Sequence, residues 1–146
     1  MTVNIDGTDN MGYLTNKTIR SEKRMIKTAS NTKVYFIETI GDDSLSGGRL
    51  STILEKRPLH SYKVLNPDEK GYFHSPFPDK SDDLIVSYKL KEENLYSLTY
   101  LNGRTGEKKL IYNSEKFNCI DAQIIRPRPF VRGRATFVNY KQKTGV

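Results

Sequence analysis

An internal repeat is the feature of this chain that most restricts its fold. Three short segments, each rich in β-branched or aromatic residues, recur once in the same order, 45–50 positions further along the chain. The matched pairs are residues 31–38 with 81–88, residues 48–54 with 94–101, and residues 61–66 with 108–113. Each segment has the length of a strand and is bounded by Gly, Pro, Asn or Asp. The chain therefore contains two copies of a unit built from consecutive strands.

A period of this size is the length of one four-stranded blade of a β-propeller. We therefore predict an all-β fold, a partial β-propeller of about two four-stranded antiparallel blades plus flanking strands. The fourth strand of each unit is expected in the linking segments, residues 71–75 and 117–125. A plain antiparallel meander or sandwich is the alternative that the pattern leaves open. Residues 17–28 are the one helix candidate, although they have too few apolar residues for a stripe.

The repeat divides the chain into four parts: residues 1–30 as the end of a preceding blade and a linker, 31–70 as the first blade, 71–125 as the second, and 126–146 as a basic exit segment with Pro and Arg. Two blades leave edge strands unpaired and one apolar face uncovered. We therefore expect a fragment of a larger protein that is marginally stable alone, or that self-associates.

Charge and cysteine content exclude several classes of protein. The net charge is +7, and residues 126–146 carry four Arg, two Lys and no acid, so the rest of the chain is nearly neutral. A local basic tail indicates nucleic acid only weakly, and nucleic acid is not the expected partner. Cys119 is alone, which rules out an intrachain disulfide and a cysteine-rich metal site. No run has the length of a membrane span.

Two short motifs resemble the blade openings of TolB-like propellers. Residues 66–68 read NPD and residues 75–79 read SPFPD, directly before the strand at residues 84–88. In the TolB-like motif, Ser-Pro-Asp-Gly makes the turn into an exposed strand. The likeness implies a propeller of this class.

A wider resemblance covers about residues 33–129. The segments that carry it are residues 47–50 (GGRL), 57–60 (RPLH), 73–76 (FHSP) and 125–129 (IRPRP). Together they resemble the propeller-type middle domain of the hydrazine synthase alpha subunit family. The chemistry of that family uses c-type haems held by Cys-x-x-Cys-His, which this chain lacks. The resemblance implies the fold and a scaffolding role, with no cofactor and no catalytic residue.

His60 and His74 are the only imidazoles, and Asp79, Asp82 and Asp83 lie nearby in the sequence. Imidazole and carboxylate are ordinary ligands of Zn²⁺, but the spacing matches neither a helix face nor a strand face. We predict hydrogen-bonded loop residues and no metal site. His74 is the better candidate for an interaction because it lies beside Pro76 at a strand–loop junction.

Four arginines of the exit segment are the other candidates for an interaction, namely Arg126, Arg128, Arg132 and Arg134. Pro127 and Pro129 favour an extended, polyproline-like conformation. Arginines on such a segment can pair with carboxylates of a neighbouring domain.

The expected function is a non-catalytic propeller module that acts as a scaffold or protein-interaction surface. Its partners are then neighbouring blades or domains of the same protein, or a second copy. The alternative is an accessory domain of a redox or hydrolytic enzyme whose catalytic residues lie on other domains. The compartment is cytoplasmic if the chain is complete, and periplasmic or exported if it is a piece of a family-like parent.

Overall fold

The computed structural model describes residues 22–28, 33–39, 45–67, 70–79, 81–125 and 127. Residues 16–125 form one compact unit, and the second unit, residues 1–15 with 126–146, lies outside the described residues except for Pro127. The described part of the chain is all-β, as the sequence predicts. It contains no helix with the length and apolar character that crossing a membrane requires.

Two antiparallel sheets of four strands each make up this unit, and within each sheet every strand pairs with its neighbours in sequence. The first sheet consists of β1 (Glu22–Thr28), β2 (Lys33–Thr39), β3 (Arg49–Leu54) and β4 (Lys63–Val64). The second sheet consists of β5 (Gly71–Pro78), β6 (Leu84–Leu90), β7 (Ser97–Leu101) and β8 (Lys108–Tyr112). A 3₁₀ turn, Pro58–His60, lies between β3 and β4.

The repeated segments occupy the same rank in the two sheets. The three matched pairs contain β2 and β6, β3 and β7, and β4 and β8. β2 and β6 are rich in β-branched and aromatic residues, which suit a pleated and buried surface. Val34 pairs with Ile53 in the first sheet, and Leu84 pairs with Leu101 in the second. The repeat is thus a structural repeat of two separate meanders.

The first strand of each sheet follows the repeat as well, with a constant offset of 50 positions. Thr28 pairs with Val34 as Pro78 pairs with Leu84, and Arg24 pairs with Ile37 as His74 pairs with Ser87. Both strands carry a bulge at the same place, between Arg24 and Lys27 in β1 and between His74 and Phe77 in β5. A bulge inserts an extra residue and bends the strand. Its recurrence makes it a property of the unit.

The helix candidate at residues 17–28 is wrong where the structure describes it, because residues 22–28 form β1. Its sequence, EKRMIKT, has no alternation and four charged residues, so nothing local predicts a strand. β2 supplies the hydrogen-bonding partner that the sequence does not reveal. Pairing with a neighbouring strand overrides weak local preference.

The expected fourth strands also differ from the observed ones. The segment that begins at Gly71 is a strand, but it opens the second sheet as β5, while β1 completes the first. Residues 117–125 form no strand. The Phe117 amide bonds locally to Ser114 Oγ, and Asp121 has a φ of +57°, outside the β region.

The two sheets pack through unlike faces. Successive side chains of a strand point to opposite faces. We call the face that carries Tyr35 and Ile37 in β2, or the equivalent residues 85 and 87 in β6, the odd face of its sheet; the opposite face is the even face. The core cluster joins the odd face of the first sheet to the even face of the second, through Tyr35, Ile37, Leu50, Phe73, Leu84, Val86 and Leu101. The packing is therefore head-to-tail, which means that unlike faces of two equivalent units meet.

Candidate functional site

A cluster of polar side chains surrounds the bulge of β5. His74 and Ser75 are 3% and 5% exposed, and the His74 Nδ1 lies 2.5 Å from Ser75 Oγ. Ser75 Oγ donates a hydrogen bond of 2.7 Å to Asp121 Oδ1. Both Ser75 and Asp121 have a positive φ, +45° and +57°. Pro76 follows directly and has no N–H for the ladder, which favours a bulge here.

Tyr96 joins this cluster from the loop before β7. Its side chain is 1% exposed, and its ring lies 5.4 Å from the His74 ring, centroid to centroid, at 49°. The hydroxyl donates to the Leu45 carbonyl at 3.2 Å, and the backbone N–H donates to Asn118 Oδ1 at 2.9 Å. The Tyr96 carbonyl accepts from the Cys119 N–H at 2.9 Å. These bonds, together with the one from Ser75 to Asp121, attach residues 118–121 to Tyr96 and to β5.

The bulge cluster has the residue types of a serine hydrolase but not the geometry. A nucleophilic serine needs a base that accepts its proton and an open side that a substrate reaches. Here the Ser75 hydroxyl donates to a carboxylate, and both His74 and Ser75 are buried. The equivalent bulge in β1 also shows that the bend does not depend on these residues. The arrangement holds the segment that contains Asp121 against β5.

The turn between β5 and β6 forms a second polar cluster, around Asp83. Its carboxylate accepts hydrogen bonds from the Gly103 N–H at 3.1 Å, the Tyr100 hydroxyl at 2.9 Å and the Ser81 hydroxyl at 3.0 Å. Partial burial alone raises the pKa of Asp83, but these hydrogen bonds outweigh it and hold that pKa below its usual value. The carboxylate therefore organises the turn.

Asp82 connects the same turn to the first sheet. Lys33 Nζ lies 2.5 Å from Asp82 Oδ2, which joins the start of β2 to the start of β6. Asp82 has a φ of +71°, a conformation that aspartate tolerates better than most residues. Burial, and next the charge of Asp82, raise the pKa of the neighbouring Tyr35 to about 12. In the part of the chain that the structure describes, no three His, Cys, Asp or Glu side chains are placed to hold a metal.

Glu38 is a buried carboxylate on the even face of the first sheet, and the sequence analysis did not single it out. Its side chain is fully buried, and Oε2 accepts from the Tyr62 hydroxyl at 2.7 Å and from Ser51 Oγ at 3.2 Å. The Arg49 guanidinium lies 3.8 Å away. Alternation marks Glu38 as polar at an inward position, and that is the only sequence signal for such a cluster.

An open groove of about 750 Å³ lies over the outer strands of the second sheet. Its apolar lining includes Tyr88, Leu90, Leu95 and Leu110. Lys108 Nζ sits 4.2 Å from the centroid of the Tyr88 ring. The aromatic face of Tyr88 in the groove is therefore covered by a cation of the same sheet.

The residues predicted from the sequence are found in different places. His74 lies in strand β5, within the bulge cluster, and not in a loop as predicted. Its side chain is buried, and its role in an interaction stays a prediction. His60 is exposed at the end of the 3₁₀ turn, 14 residues before His74 in the sequence. Arg126, Arg128, Arg132 and Arg134 lie outside the described residues.

Comparison with known proteins gives a likeness of fold. No family model matches this chain, and no curated protein matches it. The solved structure of hydrazine synthase from Kuenenia stuttgartiensis is similar, with a TM-score of 0.58 and 21% identity over 69% of this chain. The match spans 13% of that hydrazine synthase chain. The chain is therefore a β-sheet domain that structurally resembles part of hydrazine synthase, which confirms the resemblance at that level.

Proposed function

We propose that this chain is a non-catalytic β-propeller module that acts as a structural scaffold or protein-interaction surface. In this proposal the two sheets are consecutive blades of the type found in the middle domain of the hydrazine synthase alpha subunit family. Further blades of the same protein, or a second copy, cover the remaining faces.

The head-to-tail packing is the observation that carries the proposal. In a sandwich with two-fold symmetry, equivalent faces of the two units meet. Here the odd face of one sheet meets the even face of the next, although the units are equivalent over β1 and β5 at a constant offset of 50 positions. Such an interface does not pair equivalent faces, so it is compatible with the addition of further units. Repetition of blades in a propeller has the same requirement, and this supports the proposal.

The polar clusters support a scaffold because each one connects separate segments. The Lys33–Asp82 ion pair joins the two sheets, and Gly48 and Phe73 exchange two backbone hydrogen bonds of 3.0 and 2.9 Å between β5 and the residue before β3. The hydrogen bond between Ser75 and Asp121 attaches the segment that follows β8 to β5. A rigid frame with ordered connections is what a scaffold requires.

Purification of the chain by itself tests the proposal. Because an open pair of blades leaves edge strands unpaired, we expect marginal stability or self-association. Size-exclusion chromatography with light scattering gives the mass in solution, and circular dichroism gives the melting temperature. A compact monomer with a high melting temperature would contradict the need for neighbouring blades.

A further inference from the structure

Asn102 and Gly103 form the one Asn-Gly dipeptide of the sequence, and they begin the turn between β7 and β8. In such a dipeptide the backbone nitrogen of the glycine can attack the side-chain amide carbon of the asparagine, because glycine has no side chain that hinders the approach. A bond forms between this nitrogen and Cγ, the bond between Cγ and Nδ2 breaks, and ammonia leaves with the backbone amide proton. Water then opens the cyclic imide and leaves an aspartyl or isoaspartyl residue.

The turn needs both residues of this dipeptide. A Cβ added at Gly103 would lie 2.0 Å from the Asp82 carbonyl oxygen, so a side chain here would force the two backbone segments apart. Asn102 Oδ1 accepts hydrogen bonds from the N–H groups of Arg104 and Thr105, at 2.9 and 3.0 Å. Asparagine stabilises turns through side-chain bonds of this kind. The fold therefore keeps a chemically labile dipeptide that is partly exposed to water.

The carboxylate of Asp83 binds the nitrogen that the reaction needs. The Gly103 N–H donates to Asp83 Oδ1 at 3.1 Å. The attacking electron pair is the one that remains when this N–H loses its proton, and it lies in the peptide plane along the former N–H direction. It therefore points at the carboxylate of Asp83 and not at Cγ of Asn102, and the negative charge of that carboxylate opposes its formation. The hydrogen bonds to Asn102 Oδ1 polarise the carbonyl, but polarisation does not supply a nucleophile.

We propose that Asn102 is a modification site that is protected in the folded chain. Its side-chain amide is lost only when the turn between β7 and β8 opens and the Gly103 N–H leaves Asp83. Refolding does not reverse the hydrolysis, so the modification marks chains that have been open at this turn. The inference holds whether or not the two sheets are propeller blades.

An isoaspartyl residue at position 102 would prevent the turn from forming again. The backbone N–H of Asn102 donates to the Glu107 carbonyl and its carbonyl accepts from the Gly106 N–H, both at 2.9 Å. An isoaspartyl linkage places an additional carbon in the backbone, which displaces these two groups relative to each other. Because β8 begins at Lys108, directly after the turn, we expect the modified chain to lose the pairing of β8 with β7.

Peptide mass spectrometry measures the modification. The tryptic peptide of residues 92–104 contains Asn102 and, as an internal reference, Asn94, which is followed by the bulky Leu95. The folded chain and the chain unfolded in guanidinium chloride are incubated in the same mildly alkaline buffer. We expect deamidation at Asn102 to be at least ~10-fold slower in the folded chain, which corresponds to about 1.4 kcal/mol of opening free energy. Equal rates, or a faster rate in the folded chain, would overturn the inference.

Two variants test whether the protection comes from Asp83. Asp83→Ala removes the acceptor of the Gly103 N–H and should bring the rate at Asn102 close to that of the unfolded chain. Tyr100→Phe is the matched control, because it removes a different hydrogen bond of 2.9 Å to the same carboxylate, and it should keep the slow rate. A slow rate in Asp83→Ala, or a fast rate in both variants, contradicts the assignment. Circular dichroism shows whether each variant is folded.

Hydrogen exchange at the Gly103 amide of the wild type is a second measurement that does not depend on the folding of a variant. Exchange and deamidation both require this N–H to leave Asp83, so the folded chain should slow them by similar factors. A Gly103 amide that exchanges as fast as in the unfolded chain would show that Asp83 does not protect the site, even if Asp83→Ala fails to fold.

Discussion

The two sheets are copies of one unit whose corresponding positions carry different chemistry. In the first sheet Glu38 on β2 accepts a hydrogen bond from Tyr62, which precedes β4. In the second sheet the positions that are equivalent by strand register hold Tyr88 and Lys108, and the lysine lies over the tyrosine ring. A contact between the second and fourth strands is kept, while a hydrogen bond is replaced by a cation–π contact. The fold thus constrains which positions meet and leaves open how they interact.

Burial separates the copies more sharply than chemistry does. Six consecutive residues of β2, from Val34 to Thr39, are buried, so both faces of this strand are covered. β6 is buried at Leu84, Val86 and Ser87 and partly or fully exposed elsewhere, and β8 is exposed along its whole length. The second strand is thus covered on both faces in the first sheet and only in part in the second. This contrast can be tested by mutation.

The largest expected effect comes from the buried phenylalanine of β2. Phe36→Ala removes a side chain that is 0% exposed and leaves a cavity, so the free energy of unfolding should fall by about 3–5 kcal/mol. Phe117→Ala is the matched control, because Phe117 is 72% exposed, and it should change stability by less than about 0.5 kcal/mol. Urea unfolding followed by circular dichroism and tyrosine fluorescence measures both.

The same experiment tests whether the sheets form one cooperative unit. Their shared core cluster predicts a single transition for Phe36→Ala, seen equally by both probes. Two separate transitions would mean that the second sheet remains folded when the first unfolds, and the comparison would then be between two independent units.

An intermediate effect is expected at the backbone link between the sheets. A Cβ added at Gly48 would lie 1.9 Å from the Glu38 carbonyl oxygen, so the backbone must shift. Gly48→Ala should cost about 1–3 kcal/mol and speed hydrogen exchange of the Phe73 amide, which bonds to the Gly48 carbonyl. Ser46→Ala, two residues earlier, is the control. Unchanged exchange at Phe73 would show that the link tolerates the shift.

The smallest expected effect is a pH dependence of stability that comes from the phenol of Tyr35. The equivalent residue of the second sheet, Ile85, has no group that titrates. Burial raises the pKa of Tyr35 to about 12, so this phenol stays neutral when the unfolded chain ionises near pH 10. Its contribution to stability is complete below about pH 10 and is lost as the pH rises toward about 12. Between about pH 9 and 11, the wild type should lose about 1 kcal/mol more than Tyr35→Phe.

Urea unfolding at several alkaline pH values measures the difference, with Tyr112→Phe, 57% exposed, as the control for loss of a phenol. Parallel pH profiles of the wild type and Tyr35→Phe would show that Tyr35 does not contribute to the alkaline loss of stability.

Sequence reasoning located seven of the eight strands: six carry the repeat, and β5 was expected at residues 71–75, although in the other sheet. It missed β1, since EKRMIKT has no alternation and becomes a strand only by pairing with β2. It also missed Tyr96 and Asp121, which join the His74 cluster from loops. Loop residues far apart in the sequence have no periodic signal that brings them together.

The sequence by itself determined that the chain is all-β, that it contains the same unit twice, and which segments correspond. The tertiary structure decided which faces meet. Alternation identifies a buried face only when the opposite face is polar, and β2 is apolar on both faces from Val34 to Ile37. The choice of odd against even face depends on the shapes of two sheets in contact, and no single strand contains that information.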